Sequence, residues 1–267
     1  MVQEIGKYTS IYTVITGASS GIGYETAKAF AERGKNLIIT ARRKNNLEML
    51  KREILEKHPD LDIVIRGTDL SVPENAHQLY EGLRNYGIET WINNAGFGNY
   101  DSVADQDLNK ISRMLNLNIG ALTILSSLYV RDYKDVEGTQ LINISSAGGY
   151  TIVPTAVTYC AAKFYVSTFT EGLAWELKET GAKMRAKVLA PAATKTEFGM
   201  VANNASEYDY DKSFGIYHTS RQMAGFLLEL YDSENVVGMV DRETFTFRLA
   251  DPLFPYAGNS SHNQQCR

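Results

Sequence analysis

The sequence predicts an α/β fold: one doubly wound domain over residues 1–267, with a central parallel sheet of about seven strands and helices on both faces. Three observations carry this expectation. Short apolar runs alternate with longer amphipathic patterns, as strands joined by crossover helices do. The chain has 267 residues, 44% hydrophobic and 22% charged, enough to bury a sizeable core without staples. Glycine-rich or polar motifs follow the apolar runs, where ligands bind beyond the carboxyl ends of parallel strands.

The first strand is expected over residues 11–16, and the apolar spacing Ile22, Ala27, Phe30 then sets a helix. A second short run covers 36–40, followed by a charged helix over 44–57. A third strand at 61–65 leads to a helix over 73–86, and a fourth strand follows at 89–93. A long amphipathic stretch runs from 108 to 129 before a fifth strand at 139–144. Another long helix at 155–178 precedes a sixth strand at 184–190. Right-handed crossovers place these helices on both sheet faces. Composition changes at 207–217, rich in Tyr and Asp, and in the tail of about 251–267, which is polar after Tyr256 and expected to fray.

Lys and Arg number 27 against 31 Asp and Glu, a formal net charge of −4, which argues against nucleic acid as the main partner. Two distant cysteines, Cys160 and Cys266, make no disulfide framework. Residues 1–10 carry Glu4 and Lys7 without a long apolar stretch, and no later run is long enough to span a bilayer. A cytoplasmic protein with no membrane partner is therefore expected. The four histidines lack metal-ligand spacing. The glycosylation patterns at Asn204 and Asn259 carry no weight without a secretion signal.

The turn after the first strand reads Thr16-Gly17-Ala18-Ser19-Ser20-Gly21-Ile22-Gly23. Its glycines allow a tight turn and close backbone approach, and the next helix offers N–H groups and a positive dipole end to a pyrophosphate. Ser19 and Ser20 add hydroxyl donors. Asn93-Asn94-Ala95-Gly96 follows the fourth strand, Asn118 lies in the long helix two residues before Gly120, and Ser146 closes the fifth strand. Tyr159 and Lys163 form Tyr-x-x-x-Lys thirteen positions after Ser146, and Pro191 follows the sixth strand. In this order and spacing the motifs resemble those of the short-chain dehydrogenase/reductase family of Rossmann-fold NAD(P)-dependent oxidoreductases, over roughly residues 12–198. One departure is Pro191-Ala192, where the family often has Pro-Gly; it puts the local loop path in question.

The resemblance implies a dinucleotide bordered by Asn94, Ala95, Gly96, Pro191, Thr194 and Thr196, with Asp69 and Leu70 beside the adenine. It also implies that Lys163 holds the nicotinamide ribose and that Asn118 fixes a proton-relay water. The residues after the second strand, Thr40-Ala41-Arg42-Arg43, offer two guanidinium groups and no carboxylate. That favours a 2′-phosphate and therefore NADP(H) over NAD(H). Tyr159 and Lys163 share a helix face. A nearby ammonium is expected to make the phenol more acidic, so that it serves as general acid or base, while Ser146 hydrogen-bonds the substrate oxygen. Cys160, one step further round the helix, is expected to face packing.

Phe97, Tyr150, Ile152, Tyr208 and Phe214 are candidate substrate contacts, the last two in a lid of about 192–217. Tyr100, Val153, Met200, Tyr210 and Tyr217 lie in the same segments. An apolar or aromatic carbonyl compound is the expected substrate class. Relatives often form homodimers or homotetramers through two long helices, here 108–133 and 155–178, which carry Leu122, Leu125, Leu128, Phe164, Phe169 and Trp175. The alternatives are a dinucleotide-binding sensor or scaffold without turnover, and an epimerase or dehydratase on the same fold. The complete Asn118, Ser146, Tyr159, Lys163 set speaks against the sensor.

Overall fold

The computed structural model describes Tyr8 and residues 10–258. Its first half runs β1 (Ile11–Thr16), α1 (Gly21–Glu32), β2 (Asn36–Ala41), α2 (Lys44–Lys57), β3 (Ile63–Gly67), α3 (Pro73–Glu81), β4 (Gly87–Asn93) and α4 (Leu108–Leu115). A π-helical segment, Asn116–Ala121, then leads to α5 (Leu122–Tyr133), β5 (Gln140–Ile144), α6 (Val157–Glu179) and β6 (Arg185–Ala190). The remainder is β7 (Thr194–Lys195), α7 (Phe198–Ala202), α8 (Tyr210–Ser213), β8 (His218–Thr219), α9 (Ser220–Asp232), β9 (Val237–Val240) and β10 (Phe247–Ala250).

Among the described residues the main sheet has eight strands in the order β10-β9-β6-β5-β4-β1-β2-β3. Seven are mutually parallel, and β10 pairs antiparallel with β9 at one edge. Expected and observed architecture agree as a Rossmann-like α/β fold. The edge pair lies in the stretch after residue 235 that the sequence pattern left without strands. A small parallel sheet of β7 and β8 stands apart and brackets residues 196–217.

Successive strand residues point to opposite faces, so each strand supplies both cores. Ile15, Leu37, Ile39, Ile92 and Ile142 pack toward Phe30, Leu47, Leu50 and Leu227 of α1, α2 and α9. Their neighbours Val14, Ile38, Trp91 and Leu141 pack toward Leu79, Tyr129 and Leu177 of α3, α5 and α6. Lys187 breaks the apolar run of β6, yet it is 1% exposed. Its Nζ donates to the carbonyls of Leu230, Tyr231 and Ser233, where α9 ends and its last carbonyls lack helical partners.

Two expectations change at the outer face of α6. Glu171 is buried, and its carboxylate accepts from the backbone N–H groups of Leu253 at 2.6 Å and Phe254 at 2.8 Å. Phe254 lies near Phe164, Tyr256 stacks on Trp175, and the Tyr256 hydroxyl donates to Glu179. The tail is therefore anchored over 253–256 and not frayed there; 259–267, with Asn259 and Cys266, lies outside the described residues. The same contacts cover Phe164 and Trp175 with this chain's own residues, while Leu122 and Leu125 are core. Among the described residues no helix is long and apolar enough to cross a membrane.

Candidate active site

A cleft of about 570 Å³ opens at the carboxyl ends of the parallel strands. Its floor begins with the glycine turn. Gly17 and Gly21 have φ of +69° and +59°, conformations that favour glycine. A Cβ on Gly17 would come within 2.7 Å of Ala95 Cα, so the turn lies directly against the end of β4. Asn94 holds it there: its Nδ2 donates to the carbonyls of Thr16 and Gly17, and the N–H groups of Asn94 and Ala95 donate to Thr16 Oγ1. Ser20 precedes α1 without capping it, so side chains leave the first-turn N–H groups of that helix to face the cleft. This cradle fits a dinucleotide pyrophosphate.

Gly17, Ser19, Ser20, Gly21, Ile22, Arg42, Arg43, Asp69, Leu70, Asn94, Ala95, Gly96, Pro191, Thr194 and Thr196 all line the cleft. Gly23 does not; it packs behind the turn against Asn94 and Gly17. Burial alone would raise the Asp69 carboxyl, but hydrogen bonds from the Ser71 hydroxyl and N–H, with Arg42 and Arg113 nearby, hold it below its ordinary range. Arg43 does not project freely. Its guanidinium meets the Glu197 carboxylate and both Ser19 and Ser20 hydroxyls. Ala192 fits where the family often has glycine: among the described residues it is not one with positive φ, and its carbonyl accepts from Thr194 Oγ1.

Ser146, Tyr159 and Lys163 converge on the cleft from the loop after β5 and from the first turns of α6. Ser146 Oγ accepts from the Gly148 N–H at 3.0 Å, which fixes the loop. Lys163 Nζ donates to the Ile144 carbonyl at 2.8 Å and lies 5.9 Å from the Tyr159 ring centroid. Burial pulls the Lys163 ammonium down to about 8. Tyr159 differs from expectation. Burial, with Tyr100 adding to it, pushes its phenol well above the ordinary value, and only a hydrogen bond with Ser146 works the other way. The lysine does not make this phenol acidic, because the ammonium faces a backbone carbonyl while desolvation penalises the phenolate.

Asn118 is buried in the π-helical segment and does not line the cleft. Its Nδ2 donates to the Phe97 carbonyl at 2.9 Å and its Oδ1 accepts from the Phe97 N–H at 3.2 Å. It thus positions the loop after β4. Asn93 lies deeper, accepting from Trp91 Nε1 and donating to Ser126 and Asn143.

Of the candidate substrate contacts, Phe97, Tyr208 and Phe214 line the cleft; Tyr150 and Ile152 do not. The Tyr150 hydroxyl donates to Glu171 and its ring stacks on Phe254, which turn it to the far side of α6, and Ile152 is 70% exposed. Tyr100 and Phe198 stand around Tyr159, with ring centroids 6.2 and 5.4 Å away. The segment after β7 is fastened beside them: Tyr100 N–H donates to the Ala202 carbonyl, and Tyr210 links Gly199 to Thr196 through its hydroxyl. Sequence reasoning missed Glu197, Phe198, Arg242 and Phe245, which all line the cleft. Only the nearness of Glu197 and Phe198 to Thr196 pointed to them. Cys160 is buried beside Tyr159 and Ala156, yet it also lines the cleft, where packing alone was expected. Asn204 Oδ1 accepts from Lys110, and among the described residues no cluster of His, Cys, Asp and Glu could hold a metal.

The family model for short chain dehydrogenases matches residues 12–207. Human dehydrogenase/reductase SDR family member 11 is 31% identical over 191 residues, covering 69% of this chain and 74% of that protein. A short-chain dehydrogenase from Sphingobium yanoikuyae, solved in complex with NADPH, superposes with a TM-score of 0.79 at 27% identity, covering 88% of this chain and 89% of that one. The bulky-bulky ketone specific alcohol dehydrogenase from Comamonas testosteroni gives 0.73 at 27% identity, covering 85% of each chain.

Proposed function

The chain belongs to the short-chain dehydrogenase family, and from that premise we propose that it is an NADP(H)-dependent oxidoreductase interconverting a carbonyl compound and an alcohol. One observation carries this reading: the Tyr159, Ser146 and Lys163 side chains meet between the glycine turn and a wall of aromatic rings in one continuous cleft. The glycine turn and α1 N-terminus hold the pyrophosphate, Arg42 and Arg43 the 2′-phosphate, and Asp69 and Leu70 the adenosine end. Lys163 donates to the nicotinamide ribose. When bound, the dinucleotide supplies or accepts the hydride. In reduction, Ser146 and Tyr159 donate hydrogen bonds to the carbonyl oxygen, and Tyr159 passes it the proton that completes the alcohol. At neutral pH the phenol carries the proton that reduction consumes. The aromatic wall favours an apolar or aromatic ketone or aldehyde. The likeness to the NADPH complex and to the ketone-specific dehydrogenase supports both parts of the reading.

The test is NADPH oxidation against a panel of ketones and aldehydes, with alcohol product measured and NADH run in parallel. Wild type should turn over and prefer NADPH, and Tyr159→Phe should lose about 10²- to 10⁴-fold in kcat with NADPH binding kept. Binding without turnover on any carbonyl would instead favour the sensor; undiminished turnover in the variant would refute the role of Tyr159.

A further inference from the structure

One ion pair crosses the mouth of the cleft. Arg43 stands beyond β2, and Glu197 in the lid just after β7. Arg43 Nη1 donates to Glu197 Oε1 at 3.1 Å and Nη2 to Oε2 at 2.7 Å. The same guanidinium donates to Ser20 Oγ at 2.7 Å and Ser19 Oγ at 3.2 Å, so its fork is already taken on the glycine turn. Lid and turn also touch directly: a Cβ on Gly21 would lie 3.1 Å from Thr196 Cγ2. The pair is half-exposed, with 46% and 44% of the two side chains accessible.

Building on the NADP(H) reading above, we propose that Glu197 is a specificity residue for the 2′-phosphate, because its carboxylate occupies the Arg43 fork that the phosphate needs. Carboxylate and phosphate are the two anions that a guanidinium fork matches with paired hydrogen bonds, and one edge cannot hold both. Hydrogen bonding from Arg43 keeps the Glu197 carboxyl below its ordinary range, so it competes as an anion at neutral pH. A half-exposed ion pair is weak. A doubly charged phosphate therefore displaces the carboxylate and releases the lid at the start of α7. A dinucleotide lacking that phosphate leaves the pair closed.

The experiment measures binding of 2′,5′-ADP and 5′-AMP to the purified protein by calorimetry, for wild type and Glu197→Gln, with an unfolding midpoint confirming that the variant is folded. Wild type should bind 2′,5′-ADP more tightly than 5′-AMP. Glu197→Gln should tighten 2′,5′-ADP by about 3- to 5-fold, the scale of one exposed ion pair, and leave 5′-AMP unchanged. If wild type prefers 2′,5′-ADP but the variant binds it equally or more weakly, the role of Glu197 falls and the cofactor reading stands. Equal tightening of both nucleotides overturns the role as well, since the effect is then general charge. No preference in wild type overturns the cofactor reading and this inference together.

Discussion

Tyr159 sits in a low-dielectric pocket of rings, and Lys163 reaches past it to the Ile144 carbonyl. The phenol stays protonated across the neutral range, so the group that titrates near working pH is the ammonium, at about 8. In the proposed role, Lys163 would lose the charge that aids dinucleotide binding as pH rises through that value. For reduction, kcat/KM for NADPH should therefore hold near neutrality and fall above about pH 8, reporting the free enzyme. Lys163→Arg, charged throughout, should remove that fall even if its overall rate is low. An alkaline limb unchanged in the variant would assign it to another group. The partners Ser146, Tyr159 and Lys163 were legible in the sequence because residue type and spacing carry them. The direction of the Tyr159 shift was not, because it depends on Tyr100 and on burial.

The stretch 108–129 illustrates the limit at the level of elements. Its apolar spacing is that of one helix, but it divides into α4, a π-helical turn and α5. The extra residue per turn comes where the Asn118 amide reaches out to clamp Phe97, and π-turns often mark functional sites. The strap of 253–256 on α6 is a second case. Glu171 accepts from Tyr150, Leu253 and Phe254, so one buried carboxylate joins the loop after β5, α6 and the tail. Glu171→Gln removes the charge from these hydrogen bonds: its amide oxygen can still accept from Leu253 and Phe254 while Nε2 donates to the Tyr150 hydroxyl, but neutral bonds are weaker. It should cost about 1–3 kcal/mol in urea unfolding with the slope unchanged, and expose the tail to limited proteolysis. An unchanged midpoint would mean that the strap adds no stability. Nothing local in Asp251–Pro252–Leu253 announces this contact, since its partner lies more than eighty residues away.

Across the whole molecule, the cleft is assembled from the glycine turn, the strand ends and the segment after β7, so a ligand bound there would link binding to stability. A ligand that binds only the folded chain stabilises it by mass action, about 2.7 kcal/mol at a hundredfold excess over Kd. For a chain of this size, NADPH at that excess should raise Tm by about 5–10 °C, and NADH at the same concentration by less. Equal shifts would remove the preference for the 2′-phosphate. The sequence by itself determined the alternating strands and helices, the glycine turn and the Tyr-Lys spacing, because each is a short-range pattern set by backbone geometry and side-chain periodicity. Only the tertiary structure decided that Arg43 is held by Glu197, that Tyr150 turns away from the cleft, and that burial raises the Tyr159 phenol with only the Ser146 hydrogen bond opposing it. Those outcomes rest on contacts between distant segments, and on solvent exclusion, which no local pattern encodes.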